Sequence, residues 1–154
     1  RVRSSAASDV YKRQMIEIIA GEKGKGKTKE LLAKVNHSVT AASGNIVYLD
    51  KSQKHMYELN NKVRLINVMD YPIDNCDEFL GFLCGIVSQD HDLEEMYLDS
   101  FLTIAFTETD DEIQHAIEKL DIISEKYNVK FILSVSRDES RLPECAKAKI
   151  VISL

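Results

Sequence analysis

Short apolar runs alternate along this chain with longer stretches whose apolar residues recur every three or four positions. The first run, Met15 to Ala20, stops at Gly21; from Lys27 to Ser43, Leu31, Leu32, Val35, Val39 and Ala42 then share one helical stripe, closed by Gly44. "NIVYLD" (45–50) predicts a second strand, "SQKHMYELN" (52–60) a short helix and "VRLINV" (63–68) a third strand. Asp74 or Asn75 is placed to cap the next helix. There Phe79, Leu80, Phe82, Leu83, Ile86 and Val87 predict a wide buried face, and Gly81 and Gly85 close packing. "EMYLDSF" (95–101) predicts a fourth strand. "TDDE" (109–112) reads as a capping box opening a helix that faces Ile113, Ala116, Ile117, Leu120 and Ile123 inward and ends at Asn128. "VKFILSVS" (129–136) and "AKIVISL" (148–154) supply two more strands. This alternation predicts an α/β fold in three layers: a mostly parallel sheet of five to six strands with helices on both faces.

The chain has 154 residues, 44% of them hydrophobic, which suits one domain with a single sizeable core. Residues 1–14, "RVRSSAASDVYKRQ", are polar and basic without an apolar period, and read as a non-native leader; residues 15–154 are expected to form the single domain. The leader holds four basic residues and one acidic. Without it, 16 basic residues face 24 acidic ones, a net charge of −8. A domain that acidic repels a nucleic-acid backbone unless it carries a segregated basic stripe, so nucleic acid is not expected as a partner. No apolar run approaches the twenty or so residues that span a bilayer. Cys76, Cys84 and Cys145 are odd in number and lack a C-x-x-C pair, and the four histidines show no ligand spacing. That pattern disfavours a disulfide framework or a zinc site and suits a reducing cytoplasm.

One basic segment stands out. Gly21 to Thr28 reads G-E-K-G-K-G-K-T, between a predicted strand and a predicted helix. It fits G-x-x-x-x-G-K-[ST], whose four fixed positions coincide by luck in roughly one chain of this length in a few hundred. Glycines let the backbone curl so that successive N–H groups point into one concavity, and the following helix aims its positive end at the same place. Lys27 is expected to reach the β and γ phosphates of a nucleoside triphosphate, and the Thr28 hydroxyl to bind Mg²⁺. The candidate nucleotide-binding set is therefore Gly21, Glu22, Lys23, Gly24, Lys25, Gly26, Lys27, Thr28 and Lys29. Lys23, Lys25 and Lys29 are read chiefly as solvated charges that raise the local anion potential. A second acidic partner is expected at the end of a neighbouring strand, and "MYLDS" offers Asp99 as the other magnesium ligand.

With both motifs placed, the chain resembles a minimal RecA-like P-loop domain over nearly everything from Met15 onward. It is also similar to small bacterial P-loop proteins sometimes named as twitching-motility ATPases. The resemblance implies ATP as ligand or substrate, Mg²⁺ as cofactor, catalytic roles for Lys27 and Asp99, and a sensor strand "FILSVS" ending in Ser136 or, less favoured, Ser134. It also implies a possible homo-oligomer or protein partner, with Arg137 or Arg141 reaching across an interface. The chain departs from the pattern where a water-activating glutamate is usual: Ser100 follows Asp99, and "DKSQ" (50–53) offers Asp50 instead. Glu94, Glu95 and Glu108 flank the magnesium strand and are candidate substitutes, each read first as a solvated loop charge. Slow hydrolysis or a nucleotide switch is therefore expected first, a weakly active nucleotide-binding regulator second, and a small-molecule kinase third. For the kinase, "MDYPIDN" and "TETDD" are the candidate acceptor segments.

Overall fold

The structure, a computed structural model, describes residues 14–154. The leader assigned from sequence therefore lies, but for Gln14, outside the described residues. Six strands form one sheet in the order β3-β2-β4-β5-β1-β6. They are β1 (Ile16–Ala20), β2 (Asn45–Asp50), β3 (Arg64–Asn67), β4 (Leu93–Leu98), β5 (Lys130–Val135) and β6 (Ile150–Ser153), and every pairing is parallel. Parallel neighbours need crossover connections, and helices supply most of them: α1 (Lys27–Ala41), α2 (Cys76–Gln89), α3 (Phe101–Ile104), α4 (Asp110–Tyr127) and α5 (Glu144–Lys147).

The period of two along each strand divides the interior into two cores. Ile19, Ile46, Tyr48, Tyr97 and Ile132 pack with Leu31, Leu32, Val35 and Val39 of α1. On the other face Ile18, Val47, Leu49, Met96, Leu98, Phe131 and Leu133 pack with residues of α2, α3, α4 and α5. Helices on both faces of one parallel sheet make the three-layer arrangement that the alternating pattern predicts.

Several local expectations are corrected. The fourth strand spans 93–98, not 95–101: Ser100 turns into the left-handed region (φ 56°) and Phe101 begins α3. "SQKHMYELN" yields only a 3₁₀ turn at Met56–Glu58, because Met56 and Tyr57 stay exposed and no apolar stripe exists to dock a helix. In α2 the buried face is narrower than expected: Phe79, Leu80, Leu83 and Val87 are buried, while Phe82 and Ile86 are half-buried. Gly81 and Gly85 face open space rather than a close neighbour. Gly44 is the glycine that packing demands, since a Cβ there would sit 2.2 Å from the Asp92 carbonyl oxygen. Asn75 caps α2 by accepting from the Glu78 amide, and the Thr109–Glu112 capping box on α4 is present. Asn128 ends α4 in the left-handed conformation.

Register sets up the site. Tyr48, Tyr97 and Ile132 form one rung across β2, β4 and β5, on the α1 face. Asp50 and Ser134 come two residues later in their strands, and Asp99 two residues after Tyr97, just past the end of β4, so they project to that same face at the carboxyl ends, where α1 begins. Ligands gather at such ends in open α/β sheets.

Candidate functional site

The glycine-rich loop leaves β1 at Gly21, whose amide donates to the Val135 carbonyl of the neighbouring strand. Gly24 (φ 86°) and Gly26 (φ 95°) both take the left-handed region that glycine enters without strain. Gly26 is the residue just before α1, and that helix has no side-chain cap on its first-turn amides. Uncapped amides and the helix dipole leave a positive pole directed at the loop's hollow. Acidic Glu30 in the first turn of α1 opposes it only weakly, since its side chain is solvent-exposed.

Lys27 is buried, with 7% of its surface exposed, and its Nζ donates to the Glu22 carbonyl at 3.0 Å. The ammonium thus bridges its own loop and keeps two further donor hydrogens. Burial lowers its pKa, while the negative charge of Asp99 acts in the opposite sense.

Asp99 is the hub. It is 2% exposed. Its Oδ1 accepts from Thr28 Oγ1 (3.2 Å), Ser134 Oγ (2.6 Å) and the Ser100 amide (2.9 Å), and its Oδ2 accepts from the Tyr48 hydroxyl at 2.7 Å. Ser134 Oγ in turn accepts from the Ser100 amide at 2.9 Å. A buried carboxylate is costly unless paired or hydrogen-bonded, and these donors supply that compensation. Burial and the adjacent carboxylate push the Tyr48 phenol well above its ordinary pKa, so it remains a donor.

A cleft of about 440 Å³ joins these parts. Lys23, Gly24, Gly26, Lys27 and Thr28 form one wall; Asp50 and the segment to His55 form another; Asp99, Ser100, Ser134 and Ser136 close it. The structure thus unites Lys27, Thr28 and Asp99 with the exposed Ser136. It does not line the cleft with Gly21, Glu22, Lys25 or Lys29. Ser134, less favoured from sequence, meets Asp99. Glu94 and Glu95 lie at the amino end of β4, bonded to Ser43 and Tyr97, away from the cleft. Arg137 is held inside its own chain by Asp110 at 2.6 Å and by the carbonyls of Arg141 (3.1 Å) and Glu108, while exposed Arg141 lies 4.0 Å from Glu22 of the glycine-rich loop.

Three contributors were not singled out as site residues. Tyr48 carries no motif, although a tyrosine inside an apolar strand must find a partner for its hydroxyl. Asp50 is 4% exposed, and its carboxyl is pushed up to about 6, first by burial and then by the charge of Asp99. The Lys51 amide donates to its Oδ1 at 2.7 Å. His55 lines the cleft and lies 3.2 Å from Glu58.

Among the described residues no group of three or more His, Cys, Asp or Glu side chains is arranged to hold a metal ion. A cation in this cleft would draw on hydroxyl, carboxylate, phosphate and water oxygens, the donor set of Mg²⁺. No helix of the described residues is long and apolar enough to cross a membrane. Compared with known proteins, the chain matches no family model and no curated sequence.

Proposed function

We propose that the chain binds a nucleoside triphosphate, ATP by default, as its Mg²⁺ complex, and that it works as a slow ATPase or nucleotide switch. The observation that carries this reading is the 3.2 Å bond between the Thr28 hydroxyl and Asp99, which sets the glycine-rich loop and the strand-end carboxylate, 71 residues apart, around one cleft. Loop amides and the α1 pole bind the phosphates, and Lys27 exchanges its Glu22 carbonyl partner for phosphate oxygens. Thr28 and Asp99 are the residues that would hold Mg²⁺, which supplies charge neutralisation for the leaving phosphates. The insertion of β5, carrying Ser134, between the loop-bearing β1 and the Asp99-bearing β4 supports the RecA-like reading. No glutamate lines the cleft, which fits slow turnover.

A second reading draws on a separate cavity. "MDYPIDN" and "TETDD" themselves supply residues to a hollow of about 1020 Å³, with Asp74, Asp77, Glu108 and Asp111 at its rim and Leu102 and Phe106 in its wall. A small-molecule kinase needs an acceptor pocket there, and this charge suits a neutral or cationic acceptor.

The test is a titration of the full chain with ATP and GTP, with and without Mg²⁺, followed by phosphate release alone and with metabolite pools. Release without an acceptor supports the ATPase; nucleotide consumption only with one supports the kinase; tight binding with neither supports a regulator. A parent protein indistinguishable from Lys27→Ala in all assays removes all three.

A further inference from the structure

We infer that Asp50 is a further carboxylate that contacts a divalent cation in this cleft, beside Thr28 and Asp99. The inference deepens the Mg²⁺-nucleotide reading and rests on it for the nucleotide, though not for the cation. An ionised carboxylate offers about four acceptor positions. Asp99 has four donors on it: Thr28, Ser134 and the Ser100 amide on Oδ1, and Tyr48 on Oδ2. With three of those donors on Oδ1 and one on Oδ2, Asp99 has little acceptor capacity to spare for a cation. Its outward link is the Thr28 hydroxyl, which sits on the loop wall of the cleft.

Asp50 presents the opposite arrangement. Its side chain lines the same cleft, and among the described residues it takes one hydrogen bond, from the Lys51 amide to Oδ1. Among the described residues no donor reaches its Oδ2. The carboxylate is nevertheless 4% exposed and feels the like charge of Asp99. Basic side chains share the cleft: Lys51, Lys54 and His55 follow Asp50 in its own loop, the two lysines solvent-exposed and His55 facing Glu58, while Lys23 and Lys27 lie on the glycine-rich wall, where Lys27 Nζ donates to the Glu22 carbonyl. A withdrawn carboxylate with one open oxygen on a hydroxyl-lined cleft calls for a hard cation, which takes oxygen ligands and completes its shell with phosphate and water. Register reinforces this: Asp50 and Asp99 follow paired Leu49 and Leu98, so the two carboxylates end adjacent strands side by side.

The experiment uses the full chain and Mn²⁺ as a spectroscopically visible substitute for Mg²⁺, with free Mn²⁺ read by electron paramagnetic resonance, with and without ATP. Asp50→Asn should weaken Mn²⁺ binding by about tenfold or more. It should leave metal-free ATP affinity unchanged or raised, because a negative charge has left the phosphate cleft. Asp50→Glu, which keeps the charge, should retain part of the Mn²⁺ affinity, which separates loss of a ligand from loss of the fold. Asp50→Asn with Mn²⁺ affinity unchanged overturns the inference, as does failure of the parent to retain Mn²⁺ under either condition. The nucleotide reading fails separately. A parent that binds no ATP yet holds Mn²⁺ through Asp50 would sink that reading and leave this inference standing.

Discussion

The phenol of Tyr48 donates to Oδ2 of Asp99 at 2.7 Å across the seam between β2 and β4. Tyr48 is fully buried and stacks at 6.1 Å on Tyr97 of the same rung, so its ring cannot swing away without disturbing the α1 core. Tyr48→Phe removes the only donor on that oxygen among the described residues and leaves the ring packing intact. It should destabilise the protein by about 1.5–3 kcal/mol, the range for hydrogen bonds to charged groups. Equilibrium denaturation measures this, and a loss below about 0.5 kcal/mol would deny the bond its role.

Lys27→Ala tests the loop. The ammonium is a buried donor already spent on a carbonyl of its own loop. Removing it should cost nucleotide affinity about 1.5–3 kcal/mol, roughly 10–150-fold. Thermal stability of the nucleotide-free protein should barely fall, because a desolvated charge departs with it. Calorimetric titration and a melting curve together check both halves.

Stability should depend on pH through Asp50. Its carboxyl rises from 3.8 in the unfolded chain to about 6 in the fold, first through burial and then through Asp99, with Lys51 and His55 opposing. The folded state therefore holds the proton more tightly than the unfolded one. Its contribution to stability is fully present below pH 3.8 and is lost as pH rises through about 6. Asp50→Asn, which cannot titrate, should gain melting temperature relative to the parent between about pH 4 and pH 7. A temperature difference independent of pH would remove Asp50 from this role.

Two glycines should behave differently. Gly26→Ala meets no neighbour but forces a side chain into φ 95°, and should cost about 1–2 kcal/mol with a loss of nucleotide binding. Gly44→Ala drives a Cβ to 2.2 Å from the Asp92 carbonyl, at the opposite end of the strands. It should destabilise more and leave the nucleotide affinity of the folded fraction unchanged. Chemical denaturation beside ligand titration separates the two.

Arg137 is held by Asp110 and by two backbone carbonyls of its own chain. It should therefore tie the loop after β5 to the start of α4 rather than serve a neighbouring copy. Arg137→Ala should lower stability by about 1 kcal/mol. Phosphate release per molecule by the parent should stay constant as protein concentration rises. A rate that climbs with concentration would instead point to a residue supplied in trans.

Whatever depends on neighbours in sequence was legible from the residues alone. The glycine-rich loop, the Thr109–Glu112 box, the Asn75 cap and the left-handed Asn128 are local, and the strand and helix periods are set by which face each side chain must bury. These imply a parallel α/β sheet with helices on both sides, and Lys27 and Thr28 together at the start of α1. Strand order and register were not legible, because they depend on pairings between segments far apart in the chain. Register brings Tyr48 and Ser134 onto Asp99, withdraws Asp50 into the same cleft, and leaves Glu94 and Glu95 at the far end of β4. Neither the burial of Asp50 nor the occupied acceptors of Asp99 leaves a mark on the flanking sequence. Both arise only when three strands close side by side, and the electrostatic character of the cleft is decided there.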